Sequence, residues 1–214
     1  MVTHMNKSAL IIVDVQNDFC KGGALAVPHG EEVVPLANQA MSHFDLTVAT
    51  QDWHPADHVS FASNQPGHHV GELMLLGGIS QVLWPDHCIQ ASVGAQFYPG
   101  FQVERVQRIF QKGANIDIDS YSAFFDNAHQ QSTGLDDYLK EQGVTDLYIM
   151  GLATDYCVKF SVLDALSLGY TVYVIEDACR GVNLAANDSE NALREMEASG
   201  ANRVPLADVL QAKE

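Results

Sequence analysis

The chain has 214 residues, with 11 Lys plus Arg against 27 Asp plus Glu for a formal net charge of −16, and 47% of its residues are hydrophobic. That length suits one domain with a sizeable core, and the apolar share is too high for disorder. A surface at pI ≈ 4.7 repels phosphate backbones and anionic lipid, which argues against nucleic-acid and membrane partners, although a pocket sets its own local field.

The start, MVTHMNKSALIIVD, leads into a short apolar run broken by Asp14, as a buried first strand does and a signal peptide does not. Its first few residues have the look of an expression-tag remnant. Residues 8–15 (SALIIVDV) are nearly all apolar, which predicts a parallel strand covered on both faces. Val33, Val34, Leu36, Ala37, Ala40 and Met41 then fall at helical spacing over 30–43, with Pro35 tolerable in the first turns. Residues 46–50 (LTVAT) read as a strand. The segment 54–101, rich in Gly, Pro, His and Gln around short pieces such as LMLLGG, is too long for an ordinary connection and reads as a functional insertion.

After it, 103–110 (VERVQRIF) is a mixed helix-to-strand approach and 146–151 (DLYIMG) a strand. Residues 155–168 form a predicted helix stopped by Gly169, with Phe160, Leu163, Ala165 and Leu166 as its core face. Residues 171–176 (TVYVIE) are a strand, Asp188 or Ser189 caps a helix over 190–199, and a short strand near 203–204 precedes a last helical turn. This βαβ succession predicts an α/β fold. Helices should cover both faces of a mainly parallel, doubly wound sheet, in one three-layer α-β-α domain over 1–214. No apolar run of about 18 residues lacks a charge, so no transmembrane helix is expected. The cysteines Cys20, Cys88, Cys157 and Cys179 are widely spaced without a CxxC pair, which suits free thiols in a reducing cytoplasm.

Ligands of open α/β sheets sit outside the carboxyl ends of the strands, so the polar residues that follow each apolar run carry the functional signal. These are Asp14, Asp52 with His54, Lys112, and Cys157 beyond a turn opened by Gly151. Singly, each has a structural explanation as a cap, a solvated lysine or a small core residue. Jointly they converge on one rim. Cys157 in the first turn of a helix would meet free backbone N–H groups that lower a thiol pKa and face a developing oxyanion. With Asp14 as base and Lys112 holding that carboxylate, the set suits acyl transfer through a thioester.

Asp52 and His54 are one residue apart, so on an extended segment they point the same way, and His87 in WPDHC supplies a third ligand. One carboxylate and two imidazoles leave open positions on a divalent ion. His58, His68 and His69 are the alternatives, with the 68–69 pair read as surface. Phe19, Trp84, Tyr121 and Phe124 lie in loops and either close the core or stack on a flat ring; Tyr156 is open in the same way.

From LIIVDVQNDFCKGGALAV through TQDWHPADHVSFAS, LWPDHCIQ, FQKG, DSYSAFF and MGLATDYCVKFSVLDALSLGY to DACRGVN, the chain resembles the bacterial nicotinamidase/pyrazinamidase group of the isochorismatase-like cysteine hydrolases over essentially its whole length. The resemblance implies a triad of Asp14, Lys112 and Cys157 and metal ligands Asp52, His54 and His87. It implies a cis peptide between Ala153 and Thr154, with Ala153, Thr154 and Cys157 at an oxyanion hole. Phe19 and Trp84 match the family's clamp on a pyridine ring, and Tyr121 lines the same pocket. His58 and Ser60 are positions for an extra or water-mediated metal contact, and zinc, iron or manganese all suit the donors.

The implied reaction is hydrolysis of nicotinamide, and of pyrazinamide, for NAD salvage by a monomer or small homo-oligomer. The ring nitrogen would anchor at the metal or its water shell, with the carboxamide over Cys157. An amidase for carbamoyl or ureido substrates is the alternative, opposed by the metal set and the aromatic pair. An isochorismatase has no use for the thiol, and a non-catalytic relative would have lost a triad member.

Overall fold

The computed structural model describes residues 7–211; residues 1–6, where the sequence suggests a tag remnant, and 212–214 lie outside the described residues. In chain order the elements are β1 (Ser8–Val13), α1 (Val33–Met41), β2 (Thr47–Asp52), β3 (Leu73–Leu76), β4 (Ile79–Val82) and β5 (Arg108–Lys112). Then come α2 (Leu135–Glu141), β6 (Asp146–Leu152), α3 (Lys159–Ser167), β7 (Thr171–Arg180), α4 (Asp188–Ala198), β8 (Asn202–Val204) and α5 (Leu206–Gln211). Six strands form one parallel sheet in the order β5-β2-β1-β6-β7-β8. The α/β expectation is met: β1 and β6 are apolar and buried because helices cover both faces. α1 packs with α5, and α3 with α4. Because the chain winds outward in both directions from the β1/β6 boundary, right-handed crossovers put these pairs on opposite faces, and that boundary is the switch point where ligands gather.

Several boundaries differ from the sequence reading for local reasons. A 3₁₀ turn at Gly30–Glu32 precedes α1. β7 runs on to Arg180, past an irregularity in its pairing with β6 between Ile149 and Gly151. α2 escaped the sequence reading: its seven residues LDDYLKE hold only Leu135 and Leu139 in the core, too little periodicity to detect. The predicted helix from residue 155 opens as a π-helical turn, Thr154–Val158, before α3 begins. On α3 the buried residues are Ser161, Val162, Asp164 and Ala165, whereas Phe160 is 37% exposed and Leu163 and Leu166 are half-buried. Of the expected core face, Ala165 is buried as read, Leu163 and Leu166 are only partly covered, and Phe160 faces solvent. Asn187, not Asp188 or Ser189, is the residue before α4.

The 54–101 insertion is built mostly of turns. Its one two-stranded unit is the antiparallel hairpin β3–β4; single bridges (His54 to Ile89, Phe61 to Trp84) tie its turns to one another, and Gln16 to Phe97 ties it to the segment after β1. All four cysteines are free and buried. Among the described residues no helix is long and apolar enough to cross a membrane.

Candidate active site

The four strand-end candidates meet. Asp14 follows β1 in a left-handed conformation (φ 49°), Asp52 ends β2, Lys112 ends β5, and Cys157 sits in the π turn after β6. The register does the work of assembly. Asp52 pairs directly with Lys112, and Val13 pairs with Gly151. Gly151 (φ 125°) allows that approach, because a Cβ there would strike the Val13 carbonyl.

Lys112 is the hub. Its ammonium donates to Asp52 Oδ1 (2.6 Å), to the Ser120 carbonyl (2.9 Å) and to Cys157 Sγ (3.4 Å), which uses its three protons. Asp14 Oδ2 lies 2.9 Å from the same nitrogen in ionic contact. The other oxygen, Oδ1, accepts from Thr50 Oγ1 at 2.7 Å. One oxygen each from Asp14 and Asp52 and the Cys157 sulfur lie within 4.8 Å of one another. Asp14 Oδ2 is therefore a buried acceptor with a lone pair to spare beside a thiol.

The charges are out of water. Burial pulls Lys112 down, but Asp14 and Asp52 outweigh it and hold the ammonium well above its ordinary range. Burial would raise Asp52, and Lys112 and His54 outweigh it, so that carboxyl stays well below normal. In Asp14 burial wins over Lys112, and its carboxyl is raised. Cys157 corrects the sequence reading. Burial, opposed by Lys112 and assisted by Asp14 and Asp52, pushes the thiol well above its ordinary value instead of lowering it. A thiol held so high is neutral at rest, and would need a base before it could act as a nucleophile.

The family-implied cis peptide is also shifted: it joins Leu152 to Ala153, not Ala153 to Thr154. The Tyr156 and Val158 amides both donate to the Ala153 carbonyl (3.1 and 3.0 Å), closing the π turn around Cys157. Thr154 opens that turn, where helical geometry supplies its N–H no acceptor. Ser161 Oγ donates to the Cys157 carbonyl at 2.6 Å and accepts from the Ala123 amide, a brace the sequence reading missed.

Asp52, His54 and His87 present ligand atoms within 4.8 Å of one another. The His54 ring packs on Gly113, where a Cβ would collide with it, and its Nδ1 donates to the Gly113 carbonyl (2.9 Å). His87 Nδ1 donates to the Pro85 carbonyl (2.7 Å). Both Nε2 lone pairs thus face Asp52 Oδ2, at 3.4 and 3.7 Å, and His54 Nε2 is buried without a hydrogen-bond partner. Lone pairs facing a carboxylate repel unless a cation or a proton lies between them. Burial lowers the His54 pKa, yet Asp52 outweighs it and the ring is raised, so a proton is drawn to the spot a divalent ion would fill. The carbonyl partners on Nδ1 are the outer supports that ligating histidines need. The residues fit a metal.

His58 stands beside this set, its ring 4.5 Å from that of His54, and forms a second buried group with His54 and Asp119. Ser60 Oγ is engaged by His58 Nδ1 at 2.7 Å. Asp119, 3.8 Å from His54 Nε2, was not singled out in the sequence, where only its place in the acidic string DIDS marked it. His68 and His69 are exposed, as read, with His68 paired to Glu72.

Phe19, Trp84 and Tyr121 line one cavity with Cys157, Asp52 and His87, and Leu25, Ala153, Tyr156 and Val182 complete much of its wall. Trp84 Nε1 donates to the Tyr121 hydroxyl at 3.0 Å, and Tyr156 packs edge-on against Trp84 at 4.8 Å. Phe124 is fully buried in the core instead. Gln16 and Asp18, also missed, brace the rim. Gln16 bonds both main-chain groups of Asp52, and Asp18 ties the turn bearing Phe19 to the Cys88 amide next to His87.

Residues 8–208 match the isochorismatase domain. The chain belongs to the isochorismatase family. It is 52% identical to a nicotinamidase of Escherichia coli, across 95% of this chain and 97% of that protein. A solved nicotinamidase/pyrazinamidase of Acinetobacter baumannii superposes with a TM-score of 0.92 at 45% identity, covering 96% of this chain and 99% of that one. A Pyrococcus horikoshii pyrazinamidase solved in complex with zinc gives a TM-score of 0.75 at 37% identity, covering 93% and 99%.

Proposed function

We propose that the chain is a nicotinamide amidohydrolase that releases nicotinate and ammonia through a thioester on Cys157, and that it also accepts pyrazinamide. The observation that carries this reading is the buried junction at Lys112, where one ammonium touches Asp14, Asp52 and the Cys157 sulfur. Such a junction has no structural need for a thiol. Relatives named nicotinamidase at 52% and 44% identity over nearly the full length support the substrate.

In this reading the amide rests between Phe19 and Trp84 with Tyr121 beside it, its carbonyl carbon over Sγ. Asp14 Oδ2 takes the thiol proton as sulfur attacks. Burial raises the Asp14 pKa, which makes its carboxylate a stronger base toward the thiol proton than an exposed one. Lys112 stays charged, steadying the new thiolate and the carboxylate. Thr154 and Cys157 amides next to Ala153 face the oxyanion; one such donor is worth roughly 2.7–4 kcal/mol in other acyl-transfer enzymes. Asp14 returns its proton to nitrogen, ammonia leaves, and Asp14 then deprotonates the water that hydrolyses the thioester.

Asp52, His54 and His87 would hold one divalent ion, with His58 and Ser60 at its border. When bound, it supplies a Lewis acid that anchors and polarises the heteroaromatic ring; zinc suits two imidazoles and a carboxylate. In this reading the enzyme serves NAD salvage in the cytoplasm, as one domain acting as a monomer or small homo-oligomer.

The test is ammonia release from nicotinamide by metal-replete protein with a chelated sample in parallel. Release from the replete sample that is lost on chelation supports both the reaction and the metal. No release from folded, metal-loaded protein overturns the reading, and carbamoyl and ureido amides become the next substrates to try.

A further inference from the structure

The cavity over Cys157 has a free volume of only about 30 Å³. That is the room of one water molecule, whereas a cavity that admits a six-membered aromatic ring holds about 150 Å³. Some wall must move before a pyridine carboxamide can reach the sulfur. A second cavity of about 380 Å³, open to solvent, lies just outside and shares two walls with the first, Tyr121 and Tyr156.

These two rings are held very differently. Tyr121 is fixed: its hydroxyl accepts from Trp84 Nε1 (3.0 Å) and its amide donates to Asn127 Oδ1 (3.0 Å). Tyr156 is half-buried, and among the described residues no hydrogen bond reaches its hydroxyl. Its ring packs against the core and makes edge-on contacts with Trp84 at 4.8 Å and with Tyr121 at 5.4 Å, with no polar contact to fix it among the described residues. Its backbone is anchored, the amide donating to the Ala153 carbonyl, so motion is confined to the side chain. The open cavity offers that side chain a place to go, and partly exposed side chains change rotamer on fast timescales.

We propose that Tyr156 is the gate of the active site and its size-determining residue: its ring swings into the outer cavity to admit the substrate ring and closes over it, which limits the site to single-ring amides. The size limit rests on the nicotinamidase reading. The gating of Cys157 does not.

Two measurements on Tyr156→Ala and Tyr156→Leu, with Tyr156→Phe as the conservative variant, separate these parts. The first compares alkylation of Cys157 by N-phenylmaleimide and by iodoacetamide, located by peptide mapping; the ratio of the two rates cancels changes in thiol acidity. It should rise at least tenfold in Tyr156→Ala, rise less in Tyr156→Leu, and stay within about twofold in Tyr156→Phe. The second is the ratio of kcat/KM for quinoline-3-carboxamide to that for nicotinamide, which should also rise at least tenfold in Tyr156→Ala and hold in Tyr156→Phe. An unchanged ratio in either measurement, in folded Tyr156→Ala or Tyr156→Leu, overturns the proposal. If the wild-type chain releases no ammonia from nicotinamide, the functional reading fails, and the alkylation ratio still decides the gate.

Discussion

The strand ends and the 54–101 insertion build the same cavity by different means. Asp14, Asp52 and Lys112 stand on or directly after strands whose parallel register puts Asp52 beside Lys112 and Val13 beside Gly151. His54, His58, Trp84 and His87 hang on turns joined by single bridges, and the hairpin β3–β4 leaves Leu73 and Leu75 72% and 71% exposed. Buried charges tolerate little misplacement, because each unpaired one loses its hydration with nothing in return. They therefore sit on the rigid frame. Ring recognition by apolar walls is forgiving, and those walls are carried by loops, as binding residues often are.

Cutting the strand-end group should produce the largest effects. Cys157→Ala and Asp14→Asn should each lower kcat/KM by at least about 10⁴-fold while circular dichroism stays native. More than residual turnover in folded Asp14→Asn would move the base elsewhere. Lys112→Met should show that the same group is a frame as well as a catalyst. It strands two buried carboxylates and should cost about 3–5 kcal/mol in urea unfolding. A loss below about 1 kcal/mol would mean that the carboxylates shed their charge without the lysine.

The insertion's candidate metal donors come next. His54→Ala should weaken metal affinity by more than about 100-fold, read by equilibrium dialysis. Undiminished binding would remove His54 from the ligand set.

A pH titration sharpens the contrast further. In metal-free protein the His54 pKa is raised above 6.5, so the stability from its pairing with Asp52 is fully present below that value. It is lost as pH rises through the higher folded value. A ligating imidazole must be neutral, so metal-loaded protein should show the opposite trend and weaken as pH falls through the same range. Urea midpoints of both forms and of His54→Ala across about pH 6 to 9 would reveal the crossing. Parallel slopes for the wild type and His54→Ala would assign the effect to other groups. Smallest of all, Leu73→Ser with Leu75→Ser should change stability by no more than about 0.5 kcal/mol, since both side chains already face water.

Much of this was legible in the chain itself. Continuous apolar runs such as LIIV and the polar residue that ends each one betray a parallel sheet and its functional rim. That rule of position found Asp14, Asp52, Lys112 and Cys157. It missed Asp119, Gln16, Asp18 and Ser161, whose contacts reach segments far away in sequence and leave no periodic mark. It also misjudged Phe160, because a π turn before α3 rotates the faces that a regular 3.6-residue spacing assigns.

The thiol shows where the division falls. From the sequence alone came which atoms are available: one cysteine after a strand, an aspartate, a lysine, an Asp-x-His, each set by local pattern and the alternation of elements. Their protonation came only with the tertiary structure. Proximity to a helix start argued for a lowered thiol pKa, and complete burial beside two carboxylates reversed it. Local pattern places a group on an element, whereas its charge depends on how much water and which partners the whole fold leaves around it.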